Sequence, residues 1–128
     1  MERLRSEALP KHRRLAKRPE FVRVYEKGRK QFSRFAVLFF AGNDSQHSRI
    51  GITVTKKVGK ANIRNRLKRW TREVYRRQRE PLGLDAHALD IVVNVKPNAV
   101  QTTFDEFSRD FTRVLERIAK EAARRSTP

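Results

Sequence analysis

From Lys56 to Arg79 the chain runs KKVGKANIRNRLKRWTREVYRRQR, with eleven Lys or Arg residues, one acid (Glu73), and apolar side chains at Ile63, Leu67, Trp70 and Val74. Spacings of four, three and four place those four on one narrow stripe of a helix with 3.6 residues per turn. Projection at about 100° per residue puts Asn65, Lys68, Arg69, Arg72, Arg76 and Arg79 on the opposite side. Arg66 and Arg69 fall off the centre of the stripe. Such a segment folds only by packing one face and leaving the other cationic. The block carries +10 of the formal +17, and the remaining residues share the rest. Cations at this density repel one another, at a cost to the isolated fold, unless a polyanion lies against them. Solvated helices normally intersperse acids, so nucleic acid is the partner that fits.

The flanking segments alternate helix and strand signals. Residues 1 to about 18 are basic without an apolar pattern and read as a mobile arm. Pro19 and Glu20 suit a helix start, Phe21, Val24 and Tyr25 recur at helical spacing, and Gly28 ends the helix. Arg34 to Ala41, RFAVLFFA, is short, continuous and rich in branched and aromatic residues, which reads as a strand. The polar link GNDSQHS leads to a second strand, Ile50 to Thr55, and such a short link predicts that the two pair antiparallel. After Pro81 and Gly83, Leu89 to Val95 alternates as another strand, closed by Pro97. Thr103 with Glu106 matches a capping box, and Phe104, Phe107, Phe111, Val114, Leu115 and Ile118 form the core stripe of a last helix.

At 128 residues the chain is most economically one domain. It has no cysteine, hence neither disulfides nor thiolate metal sites. No apolar run is long enough to span a bilayer. The N-terminal segment is charged throughout and lacks an apolar signal core, and Glu2, Glu7 and Glu20 argue against a transit peptide, so a cytoplasmic location is expected. Catalytic chemistry is hard to find. His12, His47 and His87 lie in tail or loop contexts without metal-ligand spacing, and read as exposed residues without function. Asp105, Glu106 and Asp110 fall in the first turns of the last helix, where the helix dipole explains them. The five glycines form no phosphate-cradling loop. A nuclease would need positioned carboxylates or an activated nucleophile. The protein by itself reads as a binder, with no cofactor, no membrane and no small-molecule substrate.

The segment RNRLKRWTR, Arg64 to Arg72, resembles the signature of the bacterial ribonuclease P protein subunit. The likeness extends to TVTKKVGKA (Thr53 to Ala61), to the helix pattern Phe21 to Gly28 and to IVVNVKP (Ile91 to Pro97), and covers about residues 14 to 120. It implies an α+β fold in one domain, residues 19–120, an αβββαβα sandwich on a four-stranded mixed sheet with a left-handed βαβ crossover. That hand runs against the general rule for parallel units. It also implies a strand near Arg29 to Phe32 that the residues themselves do not signal. Residues 1–18 would be a flexible arm and 121–128 a tail.

The resemblance further implies a function. Members of that family partner a catalytic RNA that removes the 5′ leader from precursor tRNA with Mg2+ held by the RNA, so catalytic residues are expected to be absent from the protein. Two surfaces follow. Arg64, Asn65, Arg66, Lys68, Arg69 and Arg72, with Lys56, Lys57 and Lys60 beside them, would bind the RNA. Phe21, Tyr25 and Phe39 would stack on single-stranded leader. Trp70 stands where the family usually has a smaller aliphatic residue and is expected to pack. A structural ribosomal protein is the alternative, sharing size, charge and mixed build. A DNA-binding helix is disfavoured for want of a dimer seam.

Overall fold

The structure, a computed structural model, describes residues 9–126. A single 3-10 turn, Lys11–Arg13, precedes helix α1 (Arg18–Lys27). Strands β1 (Arg29–Phe32), β2 (Ala36–Gly42) and β3 (Arg49–Thr53) follow, then the long α2 (Ala61–Arg79), the one-turn α3 (Leu84–His87), β4 (Leu89–Val95), a 3-10 turn at Pro97–Gln101 and α4 (Phe104–Ser126). The architecture is α+β, and β1 lies where the family resemblance put it. Its sequence RKQF shows no apolar alternation because β1 is an edge strand with three exposed residues.

Sheet order is β1-β2-β4-β3, with β1 and β4 antiparallel to β2, and β3 parallel to β4. The expected antiparallel pairing of the second and third strands is therefore wrong. β4 inserts between them, with Leu38 opposite Val93 on one side and Ile52 opposite Val93 on the other. The reason is burial: every β4 residue except Asn94 is buried, and a strand covered on both faces belongs at the centre of a sheet. The long crossover that a parallel pair requires is supplied by α2.

The two sheet faces are covered unequally. Leu38, Phe40, Ile50, Ile91 and Val93 join Leu67, Val74 and Tyr75 of α2 and Phe107, Phe111, Leu115 and Ile118 of α4 in the main core. Trp70 packs there as expected, with its ring 5.6 Å from Phe104 and 5.8 Å from Phe107. The other face carries α1 alone, over a small cluster of Leu15, Val24 and Val92 with Phe21 and Phe39 against it. Two glycines allow this close approach. A Cβ on Gly28 would stand 2.3 Å from the Val24 carbonyl oxygen, and one on Gly51 would stand 2.6 Å from the Phe21 ring.

Glu20 starts α1 by accepting hydrogen bonds from the backbone N–H groups of Ala16 and Lys17. At α4, the Thr103 hydroxyl accepts from the Glu106 N–H, and Thr102 donates to the Glu106 carboxylate. Asp110 does more than face the helix dipole. Its carboxylate accepts from the N–H groups of Arg34 and Phe35 and fixes the β1–β2 turn.

The expected mobile arm is packed from residue 9 onward. Leu9 and Leu15 are buried, the Leu15 N–H donates to the Ile50 carbonyl, and Arg13 pairs with Asp85 at 2.8 Å. Residues 1–8 lie outside the described range. The expected tail likewise begins inside α4, which runs to Ser126. Two isolated leucines carry no periodicity, which is why the anchoring does not show in the sequence.

Asp90 is the polar centre of the α1 side. Its fully buried carboxylate accepts from Arg49 Nε and Nη2 (2.9 and 2.8 Å), Arg23 Nη2 (2.7 Å) and Asn43 Nδ2 (2.7 Å). Burial alone would raise its pKa, but these donors outweigh it and hold it below the ordinary value. A carboxylate depressed in the folded state stabilises above its unfolded pKa of about 3.9 and loses that contribution as pH falls through the folded value. Asp90→Asn should therefore lower unfolding free energy at pH 7 by about 3 kcal/mol, because two arginines lose their counter-charge. Its acid limb should also be shallower than that of the parent. Urea melts at pH 7 and pH 3 check this, and an unchanged stability at pH 7 would contradict it.

Candidate nucleic-acid interface

Helix α2 presents its cations in three rows set by its rotation on the core. The buried side holds Leu67, Thr71, Val74 and Tyr75, with Ile63 and Trp70 only partly covered. The stripe read from the sequence is thus rotated toward Thr71 and Tyr75. Thr71 satisfies its hydroxyl on the Leu67 carbonyl, and Tyr75 shares a short hydrogen bond with Ser48. Burial pushes the Tyr75 phenol up to about 12. Asn65 and Arg69 point outward and are exposed.

Lys68 and Arg72 flank the side toward β3 and the N-terminal segment, where they border a pocket with Lys11 and Arg14. Arg66 lies on the opposite flank. Its guanidinium sits 5.2 Å from the Trp70 ring centroid and donates to the Val100 carbonyl, while Nε is buried without a partner. Arg66, expected off the centre of the apolar stripe, lies on its flank and is in part a packing residue. Arg64 donates from Nε to the Gly59 carbonyl and braces the loop that carries Lys56, Lys57 and Lys60, all three exposed.

Charge compensation divides the helix. Glu73 pairs with Arg76 at 2.8 Å and Arg77 at 2.6 Å, and Arg79 pairs with Asp85. Burial would raise the Glu73 pKa, but the two arginines hold it below the ordinary carboxylate value. No carboxylate among the described residues pairs with Lys56, Lys57, Lys60, Arg64, Arg66, Lys68, Arg69 or Arg72. The first turn of α2 contains no acid, and its N-cap is Lys60 without a side-chain cap. Cations at the positive end of a helix dipole are unfavourable. The uncompensated charge is therefore gathered where the isolated protein tolerates it least.

The second surface is the part of the sheet that α1 leaves open. Tyr25 is 36% exposed, meets Phe39 edge to face at 4.8 Å between centroids, and donates its hydroxyl to Asn94 Oδ1 at 2.9 Å. Lys30 Nζ sits 5.5 Å from the Phe39 centroid. Phe21 differs from the other two, since its ring is wedged on Gly51 beside Leu15. Tyr25 and Phe39 thus offer aromatic surface beside a cation, and Phe21 serves mainly as their support.

Comparison with known proteins places this geometry. A model of the ribonuclease P family matches residues 9–119. The chain belongs to that family. It is 35% identical over 114 residues to the ribonuclease P protein component of Thermotoga maritima, covering 88% of this chain and 92% of the relative. It is 38% identical over 113 residues to that of Geotalea uraniireducens, covering 88% and 96%. Among solved structures, the RNase P protein of Staphylococcus aureus is similar with a TM-score of 0.74 at 33% identity, covering 84% of this chain and 95% of that one. The Thermotoga maritima RNase P protein follows at 0.73 and 31%, covering 81% and 96%. Family membership carries a role in RNA processing as a component of a tRNA-processing endoribonuclease, and implies an RNA partner.

All three histidines were expected to be exposed and without function, and His47 departs from that by making structural contacts. His47 Nε2 lies 2.9 Å from the His12 carbonyl oxygen and Nδ1 3.2 Å from Ser45 Oγ, which ties the β2–β3 loop to the N-terminal segment. Among the described residues no cluster of His, Cys, Asp and Glu could hold a metal ion, and no helix is long and apolar enough to cross a membrane. Asn94 and Lys30 are the site residues that sequence reasoning missed. Asn94 had a signal, as a polar residue facing away from the Leu89, Ile91, Val93, Val95 row.

Arg66 and Arg69 should now separate. Arg69→Ala should leave stability within about 0.5 kcal/mol and flatten the salt dependence of RNA binding by about one unit of slope. Arg66→Ala should also cost about 1–2 kcal/mol of stability, from the lost ring contact and hydrogen bond. Urea melts and RNA titrations at several salt concentrations check both. Equal melting of the two variants would contradict the packing role of Arg66.

Proposed function

We propose that this chain is the protein subunit of ribonuclease P, acting beside a catalytic RNA in endonucleolytic removal of the 5′ leader from precursor tRNA. The loop and first half of α2, from Lys56 to Arg72, bind the catalytic RNA. The cleft of Tyr25 and Phe39, supported by Phe21, receives the single-stranded leader. The observation that supports this reading is the group of eight cations without a carboxylate partner among the described residues, together with an open aromatic pair on the α1 side of the sheet. Arginine forks suit phosphate, and Asn65 can bond a base edge or a sugar. Aromatic faces accept unpaired bases without demanding a sequence. The chemistry belongs to the RNA and its Mg2+, and the protein acts in the cytoplasm by binding and charge neutralisation.

Two outcomes are expected. Purified protein without RNA cleaves no precursor, and its stimulation of the RNA is greatest at low magnesium, where protein cations replace screening ions. Robust cleavage by RNA-free protein would overturn the reading. Tyr25→Ala and Phe39→Ala should each weaken precursor binding by roughly 1–3 kcal/mol, the range for one lost base stack, and leave mature tRNA binding nearly unchanged. Titration of both ligands against each variant, with thermal melts alongside, makes the test. If the two affinities fall together as the melting point drops, the aromatic pair is core rather than cleft.

A further inference from the structure

A pocket of ≈ 460 Å³ opens between the N-terminal segment, the edge of β3 and α2. Lys11, Arg14, Lys68 and Arg72 converge on it, and its lining contains no acid. Two independent scaffolds aim these groups. Lys11 and Arg14 are three residues apart across the 3-10 turn, closed by the Arg14 N–H on the Lys11 carbonyl at 3.0 Å, and that turn is bridged to β3 at Ile50 and pinned through Arg13 to Asp85. Lys68 and Arg72 are one turn apart on α2, so their side chains are neighbours. No carboxylate among the described residues pairs with any of the four.

We propose that Lys11, Arg14, Lys68 and Arg72 hold one backbone phosphodiester of a single-stranded RNA segment passing from the aromatic cleft to α2. The inference rests on the function proposed above and adds a point of phosphate capture between its two surfaces. The Phe21 ring lines the pocket on one side and packs in the cluster that holds Phe39 on the other, so the cleft and the pocket share a wall. Leu15 and Ile50 add apolar floor that suits a ribose, while two arginine forks meet phosphate oxygens at the rim. The guanidinium of Arg72 is half-buried, and burial followed by the nearby charge of Arg14 lowers its pKa. An anion between the two arginines relieves both effects. Four cations on anchored elements around a partly apolar pocket are a costly arrangement for a merely solvated surface.

The test uses the full-length protein and a short fluorescent oligouridylate, titrated at several salt concentrations. Arg14→Gln and Arg72→Gln should each weaken binding about tenfold. The double variant should lose about one unit of salt slope, because the two arginines share one phosphate. Arg113→Gln, exposed on α4, serves as the control and should leave both quantities unchanged. A two-unit loss in the double variant would mean separate contacts and would overturn the proposal. So would wild-type affinity in both single variants while Tyr25→Ala remains weakened, a result that spares the leader cleft. Absence of oligouridylate binding by the parent protein would instead overturn the function itself. Competition by inorganic phosphate at low millimolar concentration, abolished in Arg72→Gln, would assign the pocket to a free anion and contradict an RNA backbone. Circular dichroism of each variant confirms that the fold is retained.

Discussion

One carboxylate with no exposed surface, Asp90, ties together the parts of this fold that carry its surfaces. It stands at the start of β4, the central strand, and receives Arg49 from β3, Arg23 from α1 and Asn43 from the β2–β3 loop. Those bonds fix α1 on the open sheet face and hold the parallel β3–β4 pair at the end where a crossover must return. Asp85 repeats the device nearby, joining Arg13 of the N-terminal segment and Arg79 at the end of α2. Few acids are available, and several of them are spent on arginines that position elements.

The consequence is a segregation of charge. Acids gather at the second half of α2, the start of β4 and the start of α4, leaving the loop after β3 and the first half of α2 without counter-charge. A chain selected for solubility alone would intersperse the signs. Here the cationic row continues around the β3 edge toward α1, whose short length leaves Tyr25 and Phe39 accessible. The cations of α2 thus stand on the main-core side of the sheet with α4, the aromatic pair stands on the α1 side, and the two approach each other at the β3 edge, where Phe21, Lys68 and Arg72 line one pocket.

Much of this was legible from the residues. β4 ran over Leu89–Val95 as its alternation indicated, because a strand with one strongly apolar face writes its period into the sequence. The helical period of Leu67 and Val74 was equally plain. Strand order was not legible, since a short link between β2 and β3 gives no sign that a strand from much later in the chain will separate them. β1 was silent because an exposed edge strand needs no apolar pattern. The packing of Arg66 on Trp70 was not legible because a long side chain can lie over a ring whatever its helical angle, and the anchoring of Leu9 and Leu15 was not because single anchors carry no period. Asn94 lay within view as a polar residue at an alternating position, but its bond to Tyr25 required the tertiary fold.

The central claim is that the uncompensated row on α2 is completed by one specific structured RNA. The most direct measurement is to isolate the protein from its native cell under low-salt conditions and sequence the RNA bound to it. The account predicts one structured noncoding RNA, near stoichiometric with the protein and able to cleave precursor tRNA. Recovery of ribosomal RNA in its place would contradict it.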